Sequence, residues 1–305
     1  MVVLVTGANG QLGQAIQSIS GKYPEIDFVF CSSSDLDITN LENCQVVFDE
    51  FQPQFCINAA AYTAVDKAES EPAKAFDINA NGAENLAITC KKFNTILIHI
   101  STDFVFDAYF SEGIAYYDRE LRLPLKSNLG LTETDVPFPS GVYGLTKLQG
   151  EQAIQANWDK HFIIRTSWVY SQFGNNFMKT MLRLASERDR LSVVADQIGT
   201  PTNAVDLAEV LIKIIESCHA ELISASNYGI YNFSNQGQCS WYDFAKEIFH
   251  QKGVSIDLKP IPTSAYPTPA KRPAYSVLDK TKIKRTFGVE IKEWQTSLAT
   301  CINQL

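Results

Sequence analysis

The chain has 305 residues, 45% of them hydrophobic and 20% charged, and its formal net charge is −8. This is an ordinary globular composition, which excludes disordered and collagen-like classes. An acidic chain without a cluster of basic residues is not expected to bind nucleic acid, and no apolar run approaches the ~18 residues of a membrane span. No basic residue precedes Lys22, which argues against a signal peptide, so we expect a cytoplasmic protein with no membrane partner.

Cysteines and histidines offer neither a disulfide framework nor a metal site. The seven cysteines are odd in number and form no Cys-x-x-Cys, so we expect reduced and mostly buried thiols. The four histidines lack the spacing of metal ligands, and we predict no metal-binding residues. His99, on an apolar strand, is expected to be a packed core residue.

Strand-like and helix-like segments alternate over the first 170 residues. Apolar strands are predicted at 2–6, 26–30, 55–58, 95–101 and 162–166. Helices are predicted at 11–20, 41–51, 72–92 and 141–158. Such alternation is typical of parallel strands joined by right-handed crossovers. We therefore expect an α/β fold, a Rossmann-like doubly wound parallel sheet between two layers of helices.

The pattern becomes less regular after Thr166. Helices are predicted at 176–188, 205–217 and 241–252, and a strand at 228–233. Five prolines between Pro260 and Pro273 exclude a helix or a central strand and indicate an extended surface segment. We expect a dinucleotide-binding domain at 1–170. A smaller C-terminal α/β domain at 171–305 would mainly bind substrate, with some segments returning to the first domain.

A glycine-rich loop connects the first strand to the first helix. Gly7, Gly10 and Gly13 follow a G-x-x-G-x-x-G pattern, which permits a tight turn and close approach of the backbone to a pyrophosphate. The second strand ends at Ser32 to Ser34 without an acid or a base, while Asp35 follows in a turn. Neither NADPH nor NADH is therefore excluded as the cofactor.

Tyr143 and Lys147 are four residues apart and lie on one face of a predicted helix. A cation beside a phenol stabilises the phenolate, so we expect Lys147 to lower the pKa of Tyr143 below its usual value of about 10. Thr102 ends the fourth strand. The glycine loop, Thr102 and this pair should therefore meet at the carboxyl ends of the strands, where ligands bind in such sheets.

These residues resemble the extended short-chain dehydrogenase/reductase superfamily. Longer motifs are similar to the dTDP-4-dehydrorhamnose reductases over nearly the whole chain; they lie at 58–72, 101–107, 142–147, 165–170, 174–177, 196–202 and 266–273. The resemblance implies reduction of the C4 keto group of dTDP-4-dehydro-6-deoxy-L-mannose to dTDP-L-rhamnose by NADPH or NADH. A dTDP-sugar is the implied partner, and a homodimer stays open.

The resemblance also implies roles for individual residues. Tyr143 would donate the proton, Lys147 would hold the nicotinamide ribose, and Thr102 would donate a hydrogen bond to the reacting oxygen. The predicted cofactor-binding residues are Gly7, Gly10, Gln11, Leu12, Gly13, Asp37, Ile38, Ala61, Tyr62, Thr63, Tyr143 and Lys147. The predicted substrate-binding residues are Thr102, Asp103, Trp168 and Arg272. Arg272 is assigned to the nucleotide diphosphate because a guanidinium matches phosphate geometry.

Two alternatives and one departure accompany this interpretation. Another nucleotide-sugar reductase or epimerase would share the fold, but dehydratases of this group carry a glutamate where this chain has Phe104. A non-catalytic regulatory subunit resembling the methionine adenosyltransferase beta subunit need not retain Thr102, Tyr143 and Lys147 together. The departure is an insertion near 108–130, about twice the length usual in the family. We expect it to be ordered and to pack on its own domain or on a second subunit.

Overall fold

The computed structural model describes residues 1–106, 130–220 and 227–305. Its strands are β1 (Val2–Thr6), β2 (Asp27–Cys31), β3 (Phe55–Asn58), β4 (Ile96–Thr102), β5 (His161–Thr166), β6 (Val169–Tyr170), β7 (Arg190–Val194), β8 (Ile198–Gly199), β9 (Thr202–Asn203), β10 (Gly229–Asn232), β11 (Cys239–Ser240) and β12 (Asp257–Ile261). Its helices are α1 (Gln11–Ser20), α2 (Leu41–Phe51), α3 (Val65–Ala68), α4 (Pro72–Phe76), α5 (Gly82–Phe93), α6 (Val142–Asn157), α7 (Phe177–Glu187), α8 (Ala204–His219), α9 (Trp241–Lys252), α10 (Thr281–Phe287) and α11 (Trp294–Ile302).

The central sheet has six parallel strands in the order β2-β1-β3-β4-β5-β10. The chain moves outward from β1 to β2 and then returns to the other side of β1 for β3. This reversal opens a crevice beyond the carboxyl ends of β1 and β3, where parallel sheets of this kind bind ligands. The predicted Rossmann-like, doubly wound α/β fold is confirmed.

Both faces of the sheet are covered by helices because neighbouring residues of each strand point to opposite sides. Val5 of β1 packs in one apolar cluster with Ile16 of α1 and Leu211 of α8. Leu4, the preceding residue, packs in a second cluster with Phe48 of α2. The inner strands are therefore buried on both sides, and their carboxyl ends are the part of the sheet that is open to a ligand.

The predicted helix at 72–92 is present and runs unbroken from Pro72 to Phe93, but it contains a π-helical turn that was not predicted. The chain forms α4, then the π-helical turn at Asp77–Asn81, and then α5. Asn79 lies in this wider turn and is buried, and its side-chain amide forms hydrogen bonds with Tyr62 and with Thr146. Apolar spacing over twenty residues does not reveal one inserted residue, whereas such turns are frequent at functional sites.

The C-terminal third adds small sheets and a separate apolar core. β7 pairs with β12, β8 with β11, and β6 with β9, while Met178, Phe244 and Trp294 share the core between α7, α9 and α11. β10 returns to the central sheet beside β5. Pro260 lies in β12, a strand with a single partner, as expected for a proline. The boundary between two domains at residue 170 stays a prediction.

Several composition-based predictions can be compared with the structure. All seven cysteines are free and six are buried, as predicted. Over the described ranges, no helix has both the length and the apolar character needed to span a bilayer. Within the same ranges, histidine, cysteine and acidic side chains form no group of three that could hold a metal ion. The insertion predicted near 108–130 lies outside the described residues, apart from Gly130.

Candidate active site

The glycine loop fits a dinucleotide pyrophosphate. Gly7 has φ +66°, and a Cβ atom at this position would lie 2.7 Å from the backbone of Ala59 and Ala60, so only glycine allows the loop to pass this close to the end of β3. Gly10 is the N-cap of α1, no side chain caps that helix, and its first turn contains no acid. A bare helix N-terminus beside a close backbone turn is a ready site for a phosphate group.

The next residues of the loop use their side chains for contacts within the protein. Gln11 Oε1 accepts hydrogen bonds from Ser171 Oγ at 3.0 Å and Asn176 Nδ2 at 2.9 Å. Asn176 also caps the N-terminus of α7. Leu12 and Gly13 are buried. A pyrophosphate in this crevice would therefore meet mainly the backbone of the turn.

Asp35 lies in the turn after β2, as predicted, and its side chain reaches back to the residue that follows the strand. Asp35 Oδ2 accepts hydrogen bonds from Ser32 N at 2.8 Å and Ser32 Oγ at 2.6 Å. These bonds lower the pKa of the Asp35 carboxyl, so the side chain stays anionic. Asp37 is exposed and accepts from Thr39, and Ile38 is buried beside it.

The segment after β3 is fixed from behind by the π-helical turn. Asn79 Oδ1 accepts from Tyr62 N at 2.9 Å, and Asn79 Nδ2 donates to Tyr62 O at 3.1 Å and to Thr146 Oγ1 at 3.2 Å. The Tyr62 hydroxyl donates to Glu71 Oε2 at 2.8 Å. One amide thus joins the predicted cofactor segment, Ala61 to Thr63, to the helix that carries Tyr143 and Lys147.

The structure brings the predicted catalytic residues together. Thr102 is the last residue of β4 and Tyr143 lies in the first turn of α6, close enough for the Thr102 hydroxyl to act on the pKa of Tyr143. Thr102 Oγ1 donates to Asp103 Oδ1 at 3.1 Å, and Phe104 N donates to Thr102 Oγ1 at 3.2 Å. The ring of Phe104 meets Tyr143 edge-on, with 5.5 Å between centroids.

The pKa of Tyr143 departs from prediction. Burial, with a smaller contribution from the Asp103 carboxylate, raises the pKa of Tyr143 to about 12, and the Thr102 hydrogen bond opposes this rise. Lys147 is not among the causes of this shift; burial lowers its own pKa to about 8, and Glu151 opposes that change. The phenol therefore holds its proton at neutral pH.

Lys147 is turned toward the strands. Its Nζ donates to Ile100 O at 2.6 Å and lies 3.1 Å from His99 Nε2. His99 is buried as predicted, but it is a polar partner of Lys147, which the apolar pattern of β4 does not indicate. His99 Nδ1 lies 2.9 Å from Asn58 Nδ2, and Asn58 Oδ1 accepts from Thr6 Oγ1 at 2.7 Å.

One turn beyond Lys147, Glu151 forms a buried ion pair with Arg165 of β5. The Glu151 Oε2–Arg165 Nη2 distance is 2.6 Å, Arg165 Nε donates to Oε1 at 2.9 Å, and Ser101 Oγ donates to the same oxygen at 2.5 Å. Sequence reasoning missed Glu151, although its spacing of four from Lys147 puts it on the same helix face. The pair anchors α6 to two strands of the sheet.

Trp168 follows β5 in a strained backbone conformation. Its φ is +47°, a region that costs a non-glycine residue roughly 1–2 kcal/mol. Its ring stacks on Trp241 with 3.6 Å between centroids and 10° between planes, and Gly199 leaves room for it. Strain of this kind persists where packing enforces it, often at binding sites.

Arg272 is paired with an acid of the cofactor half. Its Nη1 donates to Asp66 Oδ1 at 2.9 Å and its Nη2 to Asp66 Oδ2 at 2.7 Å. Asp66 lies in α3, shortly after the predicted cofactor segment, and this bond lowers the pKa of its carboxyl. The proline-rich segment is thereby tied to the first half of the chain, and the structure does not show Arg272 in contact with Thr102 or Tyr143.

The parallel sheet, the glycine loop, and Thr102, Tyr143 and Lys147 at one sheet edge define an oxidoreductase of the extended short-chain dehydrogenase/reductase superfamily. The family model described as RmlD substrate binding domain matches residues 1–305. The chain belongs to the dTDP-4-dehydrorhamnose reductase family.

Individual relatives agree over their whole lengths. The dTDP-4-dehydrorhamnose reductase of Aggregatibacter actinomycetemcomitans is 42% identical, over 97% of this chain and 96% of the relative. A crystal structure of the Clostridium acetobutylicum reductase has a TM-score of 0.88 and 41% identity, covering 100% of this chain and 99% of that one. The Bacillus anthracis reductase in complex with NADP has a TM-score of 0.87 and 38% identity, covering 100% and 99%.

Proposed function

We propose that the chain reduces the C4 keto group of dTDP-4-dehydro-6-deoxy-L-mannose to dTDP-L-rhamnose with NADPH or NADH. The observation that carries this proposal is that Thr102 and Tyr143 lie beside each other on the same edge of the sheet as the glycine loop, with Lys147 one turn further along α6. Membership of the reductase family supports the substrate and the direction. The enzyme acts in the cytoplasm on a dTDP-sugar, and a homodimer stays a prediction.

The residues assigned to the cofactor are those at the crevice. The backbone of Gly7, Gly10, Gln11, Leu12 and Gly13 faces the pyrophosphate, Asp37 and Ile38 border the adenine, and Ala61, Tyr62 and Thr63 flank the middle of the molecule. The cofactor supplies the hydride that is added to C4. Residues 1–170 form this cofactor-binding part, and 171–305 mainly form the substrate-binding part.

Tyr143 supplies the proton. Its raised pKa of about 12 keeps the phenol protonated, as a donor to the C4 oxygen must be. As negative charge develops on that oxygen, Tyr143 transfers its proton and becomes a phenolate, which the Thr102 hydroxyl stabilises. One hydride and one proton added to the ketone give the alcohol, and solvent returns the proton to Tyr143.

Substrate binding is assigned to Thr102, Asp103, Trp168 and Arg272. Trp168 presents a fixed aromatic surface beyond β5, which suits the apolar face of a sugar. Arg272 is assigned to the diphosphate, and it reaches this role by exchanging Asp66 for phosphate oxygens, which a guanidinium binds in the same bidentate manner.

The test is direct turnover. The purified chain is mixed with NADPH and with dTDP-4-dehydrorhamnose made from dTDP-glucose by the upstream enzymes, and both NADPH absorbance and the sugar product are followed. We expect one dTDP-L-rhamnose for each NADPH consumed. NADPH binding without any reduction of this sugar would overturn the assignment and return the choice to another nucleotide-sugar activity of the superfamily.

A further inference from the structure

A buried line of polar side chains crosses the sheet beneath the crevice. Thr6 of β1, Asn58 of β3, His99 of β4 and Lys147 of α6 are hydrogen-bonded in that order, at 2.7, 2.9 and 3.1 Å. We call these four residues the polar chain. Each of the four is 1% exposed, and burial of so many polar groups in a sheet core is costly unless each is paired.

We propose that His99 is a positioning residue of the reductase, which fixes the direction of the Lys147 side chain through the polar chain. This proposal rests on the proposed function of Lys147, since it names what holds that residue in place.

The geometry assigns two of the three Lys147 protons. An ammonium group donates three hydrogen bonds and accepts none. Ile100 O takes one at 2.6 Å, and His99 Nε2, at 3.1 Å, takes the second when the ring proton lies on Nδ1. The third proton is left for the cofactor ribose. Because His99 is itself held by Asn58, and Asn58 by Thr6, the ammonium cannot rotate freely about its long stem.

The same contacts couple the charge of Lys147 to the His99 tautomer. Beside an ammonium, His99 Nε2 must accept, so the ring proton lies on Nδ1 and is donated to the Asn58 amide oxygen. Beside a neutral amine, Nε2–H donates to Lys147 and Nδ1 accepts from the Asn58 amide nitrogen. The structure has the second arrangement, with Asn58 Nδ2 toward His99 Nδ1 and Asn58 Oδ1 accepting from Thr6 Oγ1 and from Ala60 N at 3.2 Å. To serve the ammonium, Asn58 turns its amide and gives up the bond from Ala60 N, which keeps its other bond to Thr6 Oγ1 at 3.2 Å, and the Thr6 hydroxyl then accepts from Asn58 Nδ2.

The ring itself stays neutral throughout. Burial first, and then the Lys147 and His161 charges, hold the pKa of His99 well below its usual range. The charged and titratable groups around the polar chain are Tyr143 and Glu151 on α6, His161 and Arg165 on β5, and Asp103 after β4. Of these, Glu151 acts on Lys147 directly and favours its charged form.

Two isosteric variants separate positioning from simple packing. His99→Gln places an amide oxygen near the position of Nε2 and keeps an acceptor for Lys147, whereas His99→Asn keeps a partner for Asn58 and removes that acceptor. Each variant loses one buried hydrogen bond, so the Tm of thermal unfolding should fall by similar amounts in the two variants. His161→Asn is the control: this buried histidine of the neighbouring strand β5 bonds to Trp158 O and, among the described residues, shares no hydrogen bond with the polar chain.

NADPH binding, followed by its fluorescence without any sugar present, gives the first readout. We expect His99→Asn to weaken binding about tenfold, the scale of one hydrogen bond to a charged group, and His99→Gln to recover most of it. Equal losses in both variants, or no loss in His99→Asn, would overturn the proposal. If the wild type binds NADPH but does not reduce the sugar, the proposed function fails while this comparison still decides the role of His99.

The second readout needs no variant of His99. In the cofactor-free protein, the His99 ring should change tautomer as pH rises through the Lys147 pKa of about 8. Its ring ¹⁵N chemical shifts should report this change, without protonation of the ring. Lys147→Met should abolish that change. A wild-type His99 ring whose shifts do not respond in this range would contradict the coupling.

Discussion

Two bidentate arginine–carboxylate pairs among the described residues have the same chemistry and opposite surroundings. Arg165 and Glu151 are each 1% exposed, on the side of the catalytic helix. Arg272 and Asp66 are 24% and 41% exposed, on the side of the proline-rich segment. A buried pair cannot exchange partners with solvent or ligand, whereas a half-exposed one can.

The difference between the pairs extends to the residues around them. On the cofactor side, Lys147 is held through hydrogen bonds to regular strands of one sheet. On the substrate side, Trp168 is held by a stack on Trp241 and Arg272 by an ion pair. We therefore expect substitutions on the cofactor side to have large effects on activity and stability, and substitutions on the substrate side to have smaller ones.

The largest effect should come from the proton donor. Tyr143→Phe keeps the ring against Phe104 and removes the hydroxyl, so kcat should fall by roughly 10²–10⁴ while NADPH affinity stays nearly unchanged. Steady-state kinetics and NADPH titration check this together. Near-normal turnover in the variant would remove Tyr143 as the acid.

The buried pair should carry a large share of stability. Glu151→Gln leaves the Arg165 guanidinium buried without its counter-charge, and breaking such a pair costs about 3–5 kcal/mol. Asp66→Asn, on the exposed pair, should cost less than about 1 kcal/mol. Urea unfolding of both variants measures the contrast, and equal losses would show that the difference in burial does not matter.

The features that the sequence predicts and those that it misses differ in how far apart the contacting residues lie in the chain. Bounds of the helix after β2 and of β3 agree with prediction residue for residue, because alternating apolar strands and helices bury their faces locally. His99, Asn58 and Asn79 escaped prediction because their roles arise from contacts between elements far apart in the chain. The helix at 281–287 also went unpredicted, since it is short.

The pH dependence of NADPH use tests the cofactor side further. Burial lowers the pKa of Lys147 to about 8, and its ammonium is the form that the proposed function assigns to the cofactor ribose. kcat/KM for NADPH reports the free enzyme, so it should be level near neutrality and fall as pH rises above about 8. A profile that stays flat to about pH 10, the usual range for lysine, would contradict the assignment.

On the substrate side, Arg272→Ala should raise the KM for the dTDP-sugar about tenfold and leave kcat largely unchanged. Asp66→Asn releases the guanidinium from its present partner, so it should lower that KM or leave it unchanged. The opposite signs separate a phosphate contact from a purely structural strap. If both variants raise KM equally, Arg272 only fastens the proline-rich segment.

The smallest effect should come from the exposed carboxylate at the end of β2. Asp35 is anionic and bonded to Ser32, where we expect it to repel a 2′-phosphate on the adenosine ribose more than a hydroxyl. Because the carboxylate is exposed, water and salt weaken this repulsion, and we expect the wild type to use NADPH and NADH within about tenfold of each other. Asp35→Asn should raise kcat/KM for NADPH about three- to fivefold and leave that for NADH unchanged, with the gain shrinking as salt is added.

Asp27→Asn, exposed at the opposite end of β2, is the control and should change neither value. A hundredfold preference in the wild type, or equal changes for both cofactors in Asp35→Asn, would place the selecting group elsewhere in the crevice.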